Sequence, residues 1–164
     1  MIGISTNGLN LDEIRGKYNQ TIRGATIRFG AAAVEQTKQN FRDGGFNDDG
    51  LQKWPARKNG KDPGRGLLIG KGTAHLSRDT RVLDITGLVV KVGTTLSYAG
   101  VHNEGFKGNV QQSVKAFNRK GHAVSAFTRL IHQNIPQRKF LGSSVSLIQK
   151  CRNILMEELK KLKT

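Results

Sequence analysis

Four histidines, one cysteine and twelve scattered carboxylates are the residues of this chain with the most obvious chemistry. His75, His102, His122 and His132 stand at no tight ligand spacing with one another, with Cys151 or with an acid. Only His102 and Glu104 are close, and a single pair falls short of the three or four ligands that zinc requires. Asp48-Asp49 lie in a Gly-rich stretch without the liganding periodicity of a calcium loop. A nucleophilic triad needs Ser or Cys, His and an acid that converge in space, and no serine here sits in a nucleophile elbow. The segment Gly64-Arg65-Gly66-Leu67-Leu68-Ile69-Gly70-Lys71-Gly72 invites a phosphate-loop reading, but Arg65 and Gly72 occupy the places where that loop needs Gly and Ser or Thr. The residue pattern therefore predicts no enzyme, no metal site and no cofactor.

Charge is a stronger signal than catalytic chemistry. The chain has 164 residues, a net charge of +15 and a pI near 10.5. Such a balance favours polyanions: nucleic acid, acidic membranes or acidic protein surfaces. The charge is also uneven, since no Asp or Glu occurs between Gly105 and Met156. Within that stretch Val114-Lys115-Ala116-Phe117-Asn118-Arg119 recurs as Val124-Ser125-Ala126-Phe127-Thr128-Arg129. A turn around Lys120-Gly121-His122 would pair the copies as a hairpin, with Phe117, Phe127, Arg119 and Arg129 expected on one face. Interleaved aromatic and basic side chains suit stacking on single-stranded nucleic acid. Lys115, Phe117, Arg119, Lys120, Phe127 and Arg129 are thus candidates for contact with DNA or with a protein ring. No recognised nucleic-acid module accompanies them, so base readout is not predicted.

The length predicts one domain, residues 1–164. Leu11, Ile14, Tyr18, Ile22, Ala25 and Phe29 recur at helical spacing behind an Asn10 cap with Glu13 three residues on. A helical segment is expected over 10–42, either continuous or broken near Gly24, and stopped by Gly44-Gly45. Residues 43–73 read as a long polar loop anchored by Trp54, mobile before assembly, with a short buried piece at Leu67-Leu68-Ile69. The β-rich part spans 82–130. It opens with a hairpin from Val82 to Gly93 around Thr86-Gly87 and closes with the basic hairpin 114–130; a short helical turn is expected between Leu96 and Asn103. Pro136 ends the strands. Ser143 is the expected cap of a C-terminal helix over 143–163, with Val145, Ile148, Cys151, Leu155, Leu159 and Leu162 on its apolar face. Cys151 reads as a small buried hydrophobe. No N-terminal run resembles a signal peptide, and no stretch approaches the ~18–20 apolar residues of a membrane span. The host cytoplasm is the expected compartment.

The order of short blocks carries a resemblance. Asn40-Phe41 comes first, then Trp54, Leu67-Leu68 and the Val82–Gly93 hairpin. Tyr98-Ala99-Gly100-Val101-His102-Asn103-Glu104-Gly105 and Pro136-Gln137-Arg138-Lys139-Phe140-Leu141-Gly142 follow, before the last helix. This series resembles the phage virion-morphogenesis, or tail-completion, family from the first long helix to the last. Two features depart from it. Gly72-Thr73-Ala74-His75-Leu76-Ser77 matches the family's Thr-Gly-x-Leu step only loosely, and the basic repeat falls where members vary in length.

The resemblance implies an α+β fold: a small, mostly antiparallel sheet flanked by long N- and C-terminal helices. It implies a structural protein that finishes the head-proximal end of a phage tail and joins it to the neck. Its partners would be other tail and neck or connector proteins and further copies of itself in a six-fold ring, within the virion. Asn40, Phe41, Trp54, Tyr98, Ala99, His102, Gly105, Pro136, Arg138, Phe140, Leu141 and Gly142 become motif residues with structural roles. Phe140 and Leu141 are expected to plug the core, and Arg138 to be available to a neighbouring subunit's carboxylate. The alternative is a basic, sequence-independent nucleic-acid-binding protein, and contact with genomic DNA is open under either reading.

Overall fold

A computed structural model describes residues 10–57, 66–69 and 74–163. The Gly64–Gly72 segment therefore lies outside the described residues except for 66–69, as does the expected loop between 58 and 65.

Asn10 caps the first helix, its side chain accepting from the Glu13 amide at 3.2 Å. Helix α1 then runs unbroken over Leu11–Asp43, about 50 Å at 1.5 Å per residue. It ends where Gly44 turns left-handed at φ 63°, a conformation glycine adopts without a Cβ penalty. The helix does not break near Gly24. Its third interior glycine has a packing reason: a Cβ on Gly30 would lie 2.8 Å from a Val90 methyl and 2.9 Å from a Val82 methyl. Gly30 lets a hairpin lie directly on the helix. Gly30→Leu is therefore expected to lower stability by about 2 kcal/mol despite the better helix former. An unchanged urea midpoint would refute that close approach.

The periodic apolar face of α1 is only partly used. Its first turns are largely exposed, Leu11 at 73% and Tyr18 at 52%. The buried length instead carries Ala25, Thr26, Gly30, Gln36, Thr37, Asn40 and Phe41. Polar members of this face are satisfied locally or by neighbours. Thr26 and Thr37 donate to the carbonyls of Ile22 and Ala33, both at 2.9 Å, and Gln36 donates to Asn47 O at 3.1 Å.

The first part of the expected 43–73 loop is a paired hairpin rather than irregular chain. Strands β1 (Gly45–Asn47) and β2 (Leu51–Lys53) pair as a tight hairpin, and Trp54 N donates to Gly44 O at 2.9 Å behind it. Helix α2 (His75–Asp79) leads into β3 (Arg81–Thr86) and β4 (Val89–Gly93). These strands form the expected hairpin, turning at Gly87 with φ 57° and with a register shift between Val82 and Asp84. Asp79 ties the hairpin's base to α2, accepting from Thr94 Oγ1 at 2.5 Å and Thr95 N at 2.7 Å. Those bonds, with Arg81 adding a smaller effect, bring its carboxyl down to about 2.

Helix α3 (Ala99–Glu104) precedes a long two-stranded ribbon. Its stem is β5 (Phe106–Val114) with β8 (Phe127–Ile135), and its tip is β6 (Phe117–Arg119) with β7 (His122–Val124). Helix α4 (Val145–Lys160) and a 3-10 turn (Lys161–Lys163) finish the fold. The cap of α4 is Ser144, not Ser143; Ser144 Oγ accepts from Leu147 N at 3.1 Å. The architecture is α+β with helices at both ends. The antiparallel strands are divided among four two-stranded sheets.

Helices α1 and α4 run antiparallel and are joined by ions as well as by apolar contact. Arg28 reaches Glu158 at 2.7 Å and Glu157 at 2.6 Å, while Lys161 also holds Glu158 at 2.7 Å. Hydrogen bonds from Lys161 and Arg28 keep the Glu158 carboxyl below the ordinary carboxylate value. A carboxyl depressed in the folded state contributes stability above its unfolded pKa, and the contribution is lost as pH falls through the folded value. Glu158→Gln should flatten the fall of the urea midpoint below about pH 4.5. An equally steep fall in the variant would place the acid sensitivity elsewhere.

Candidate functional site

The motif blocks, far apart in sequence, converge on the segment Arg138–Leu141. Asn40 Nδ2 donates to Phe140 O at 2.9 Å, while its Oδ1 accepts from Asn47 N at 2.9 Å and Asn47 Nδ2 at 3.0 Å. Asn103 Oδ1 accepts from both Phe140 N and Leu141 N at 3.0 Å. Trp54 Nε1 donates to Lys139 O at 2.7 Å, and Arg138 N donates to His102 O at 2.8 Å. Backbone groups of an irregular segment thus find partners on α1, α3 and the residue after β2. Irregular backbone can be buried only if it is satisfied in this way.

Apolar contacts complete the latch. Phe41, Trp54, Leu76, Ala99 and Phe140 form the buried cluster, with Leu67, Leu68, Leu96 and Leu141 against it. Phe41 meets Trp54 edge-on at 5.6 Å and Phe140 at 5.1 Å, within the range of favourable aromatic pairs. The expectation that Phe140 plugs the core holds, at 1% exposure. Gly105, at φ 78°, passes so close to Gln137 that a Cβ would lie 2.9 Å from its amide nitrogen.

Several motif residues fall differently from their sequence expectation. Arg138 is buried at 8% exposure, and its guanidinium donates to Pro55 O at 3.1 Å and Ala56 O at 3.3 Å. It holds the chain after Trp54, so a neighbouring subunit's carboxylate is not what it serves. Tyr98 is exposed on the rim, touching His102 edge-on at 6.0 Å. Pro136 is half-buried at the ribbon's root, and Gly142 is exposed. Asn47 and Asn103 carry much of the latch without having been singled out. Asn103 lies inside the Tyr98–Gly105 block, but a polar residue beside His102 has no local sign of its partner about forty residues on.

His102 Nδ1 is buried without a hydrogen-bond partner. Burial first, and the Arg138 cation second, hold its pKa below the ordinary value of 6.5. The unfolded chain therefore binds a proton at higher pH than the folded one. Stability is intact above about pH 6.5 and is lost as pH falls through the folded value. His102→Phe should remove part of the decline in urea midpoint below about pH 6.5; identical slopes for variant and parent would exclude His102 as the source.

The basic repeat lies on the ribbon, away from the latch. The two copies do pair, turning at Lys120 (φ 52°) and Gly121 (φ 84°), the two left-handed residues of a tight hairpin. Their residues do not share one face as expected. Phe117 pairs with Val124, and Val114 with Phe127. These pairs are an odd number of steps apart on alternating strands, so Phe117 and Arg119 point to one side, Phe127 and Arg129 to the other. The side with Phe117 also carries Lys107 and Lys115. The opposite side carries the apolar pairs Phe106–Ile135, Val110–Ile131 and Val114–Phe127. Arg129 there donates to Gln112 at 2.8 Å. Among the described residues no helix and no other strand packs extensively on this ribbon.

Between α1, β4 and α4 lies an open groove of about 550 Å³, lined by Phe29, Val90, Val92, Leu147, Ile148 and Cys151 among others. The expected apolar face of α4 is thus incompletely covered, with Val145 and Ile148 largely exposed. Burial raises the Cys151 thiol pKa. Among the described residues no three His, Cys, Asp or Glu side chains gather as a metal would need, and no helix is long and apolar enough to cross a membrane.

A buried latch made of motif residues, with an arm and a groove left open, defines an α+β scaffold whose motif residues serve architecture. The phage virion morphogenesis family model matches residues 11–160, and the chain belongs to that family. Membership gives it a structural role in virion assembly and interaction with other virion proteins. No curated protein and no solved structure matches the chain.

Proposed function

We propose that this chain completes the head-proximal end of a phage tail and mediates its joining to the neck, without catalysis. Copies form a ring, six in number, that meets tail and connector proteins in the virion after synthesis in the host cytoplasm. The observation that carries this reading is the latch. Polar atoms of Asn40, Trp54, Asn103 and Arg138 are engaged in holding backbone, which leaves them unavailable for substrate chemistry. The surface features left over, an arm and a groove, suit contact between proteins. A nonsense mutation in the gene should yield filled heads and separate tails by electron microscopy, with joined particles restored by the wild-type gene. Joined virions without the protein would refute the reading.

One observation favours a nucleic-acid role alongside it. Lys107, Lys115 and Arg119 share the polar side of the ribbon, Lys120 sits at its tip, and no acid is present from Phe106 to Ile135. Contact of these four cations with phosphates predicts a log–log salt slope of about −3 to −4 for duplex DNA. A flat salt response, or one unchanged by Arg119→Glu with Lys120→Glu, would remove DNA from the ribbon's role.

A further inference from the structure

We propose that the ribbon of one copy seats its apolar side in the α1–α4 groove of a second copy, giving a head-to-tail contact. This deepens the reading of the chain as a ring-forming assembly component and rests on it. The ribbon alone is an unfinished structure. A two-stranded hairpin with no third strand or helix behind it is marginal in water, yet this one presents three apolar cross-strand pairs on a single side, alternating with Gly108–Gln133 and the hydrogen-bonded pair Gln112–Arg129. The same chain holds the complementary element, a groove walled by Phe29, Val92, Leu147 and Cys151, with Arg152 at its edge, that nothing among the described residues fills.

Dimensions and charge support a second copy as the occupant. Val110–Ile131 and Val114–Phe127 are four residues apart, about 13 Å along a strand. The α4 wall from Leu147 to Leu155 is about 12 Å long, and Leu141–Ser143 continue the lining beyond it, which matches the span of both pairs. Beyond the outer end of the stripe lie Arg119 and Lys120. Beyond the α4 N-terminal end of the groove lie Asp43, Asp48 and Asp49, with Asp48 accepting from Val145 N at 2.7 Å. Seated in this direction, the cationic tip meets the acidic end, and Lys107 and Lys115 stay on the outward side. A ribbon about 30 Å long and 10 Å wide covers about 300 Å² of each partner, well below the ~800 Å² of a stable isolated pair. One contact is therefore weak. A head-to-tail contact repeats, however, and closes into a ring in which every copy gives one ribbon and receives one.

Cys151 is the chain's only cysteine and lines the groove, which supplies the test. Ile131→Cys places a second thiol on the apolar side of a ribbon that the body does not support, so folding is unaffected. With a short bismaleimide and full-length protein in moderate salt, the expected product is a ladder of multiples of the 18.0 kDa chain. The cross-linked fraction should exceed that of Gln111→Cys, on the opposite side, by about tenfold or more. Adding Cys151→Ser should abolish the ladder. Absence of cross-linking, equal yield from Gln111→Cys, or products that survive Cys151→Ser would each overturn the ribbon-in-groove contact. None of those results bears on head–tail joining in the nonsense phage, so the two readings fail separately.

Discussion

Asn40→Ala should be among the most damaging single substitutions in this protein, lowering unfolding free energy by about 3–4 kcal/mol. Asn40 is 1% exposed and makes three hydrogen bonds, to Phe140 O, Asn47 N and Asn47 Nδ2, the last of which also reaches Asp43 Oδ2 at 2.8 Å. Each bond is worth about 1 kcal/mol net, but leaving a buried amide or carbonyl unpaired costs about 1–3 kcal/mol more. Truncation strands Phe140 O and Asn47 N together. For a chain of this size the loss corresponds to a fall in Tm of roughly 10 °C. Asn40→Asp separates the contributions. It keeps the acceptor for Asn47 but cannot donate to Phe140 O, and it buries a charge; it should be no better than alanine at neutral pH. Thermal melts of the parent and both variants check this. A Tm within about 2 °C of the parent for Asn40→Ala would mean the latch is not what holds the Phe140 segment.

Trp54→Ala is expected to cost about 4–5 kcal/mol. The indole is 7% exposed, packs edge-on to Phe41 and donates to Lys139 O at 2.7 Å. Its removal opens a cavity and orphans a carbonyl in one step. Trp54→Phe should cost about 1–2 kcal/mol, because most apolar contact survives and only the N–H is lost. Equal losses for the two variants would show that the hydrogen bond, not ring packing, is what matters. Trp54 also fixes the start of the segment that Arg138 holds at Pro55 and Ala56. Proteolysis between Asn47 and Arg57 should therefore be slow in the free parent and fast in Trp54→Ala, contrary to the mobile loop that composition alone predicts. Rapid cutting of the parent in that stretch would contradict the pinned arrangement.

Much of the fold was legible because its signals are local. The Asn10 cap, the stop at Gly44, the turn at Gly87 and the Lys120-Gly121 turn each depend on the conformational preference of one or two residues. The β-branched run from Val82 and the apolar period of α4 depend on side-chain pattern alone. The motif order in the chain was enough to point to the family that the comparison then showed. Composition misled in the stretch after α1. Gly45 and Gly50 suggested a loop, whereas glycine is there because the hairpin is tight: a Cβ on Gly45 would lie 2.6 Å from Gln52 O. The buried face of α1 was hidden for a related reason. Gln36, Thr37 and Asn40 are polar, and their burial follows only from the partners that satisfy them.

The sequence by itself determined the two long helices, the Asn10 cap, the turns at Gly87 and Lys120-Gly121, the basic character of the region after Gly105, and the list of blocks. Those follow from local sterics, side-chain period and charge, which need no knowledge of the rest of the chain. Tertiary structure alone decided what the blocks are for. It turned Arg138 inward, brought Asn40 and Asn103 to opposite sides of one backbone segment, and placed the two phenylalanines of the repeat on opposite faces. It also left a ribbon and a groove uncovered on the same molecule. Each of these depends on strand register or on hydrogen-bond partners separated by tens of residues. A pattern read along the chain can list such partners, but only the folded geometry can pair them.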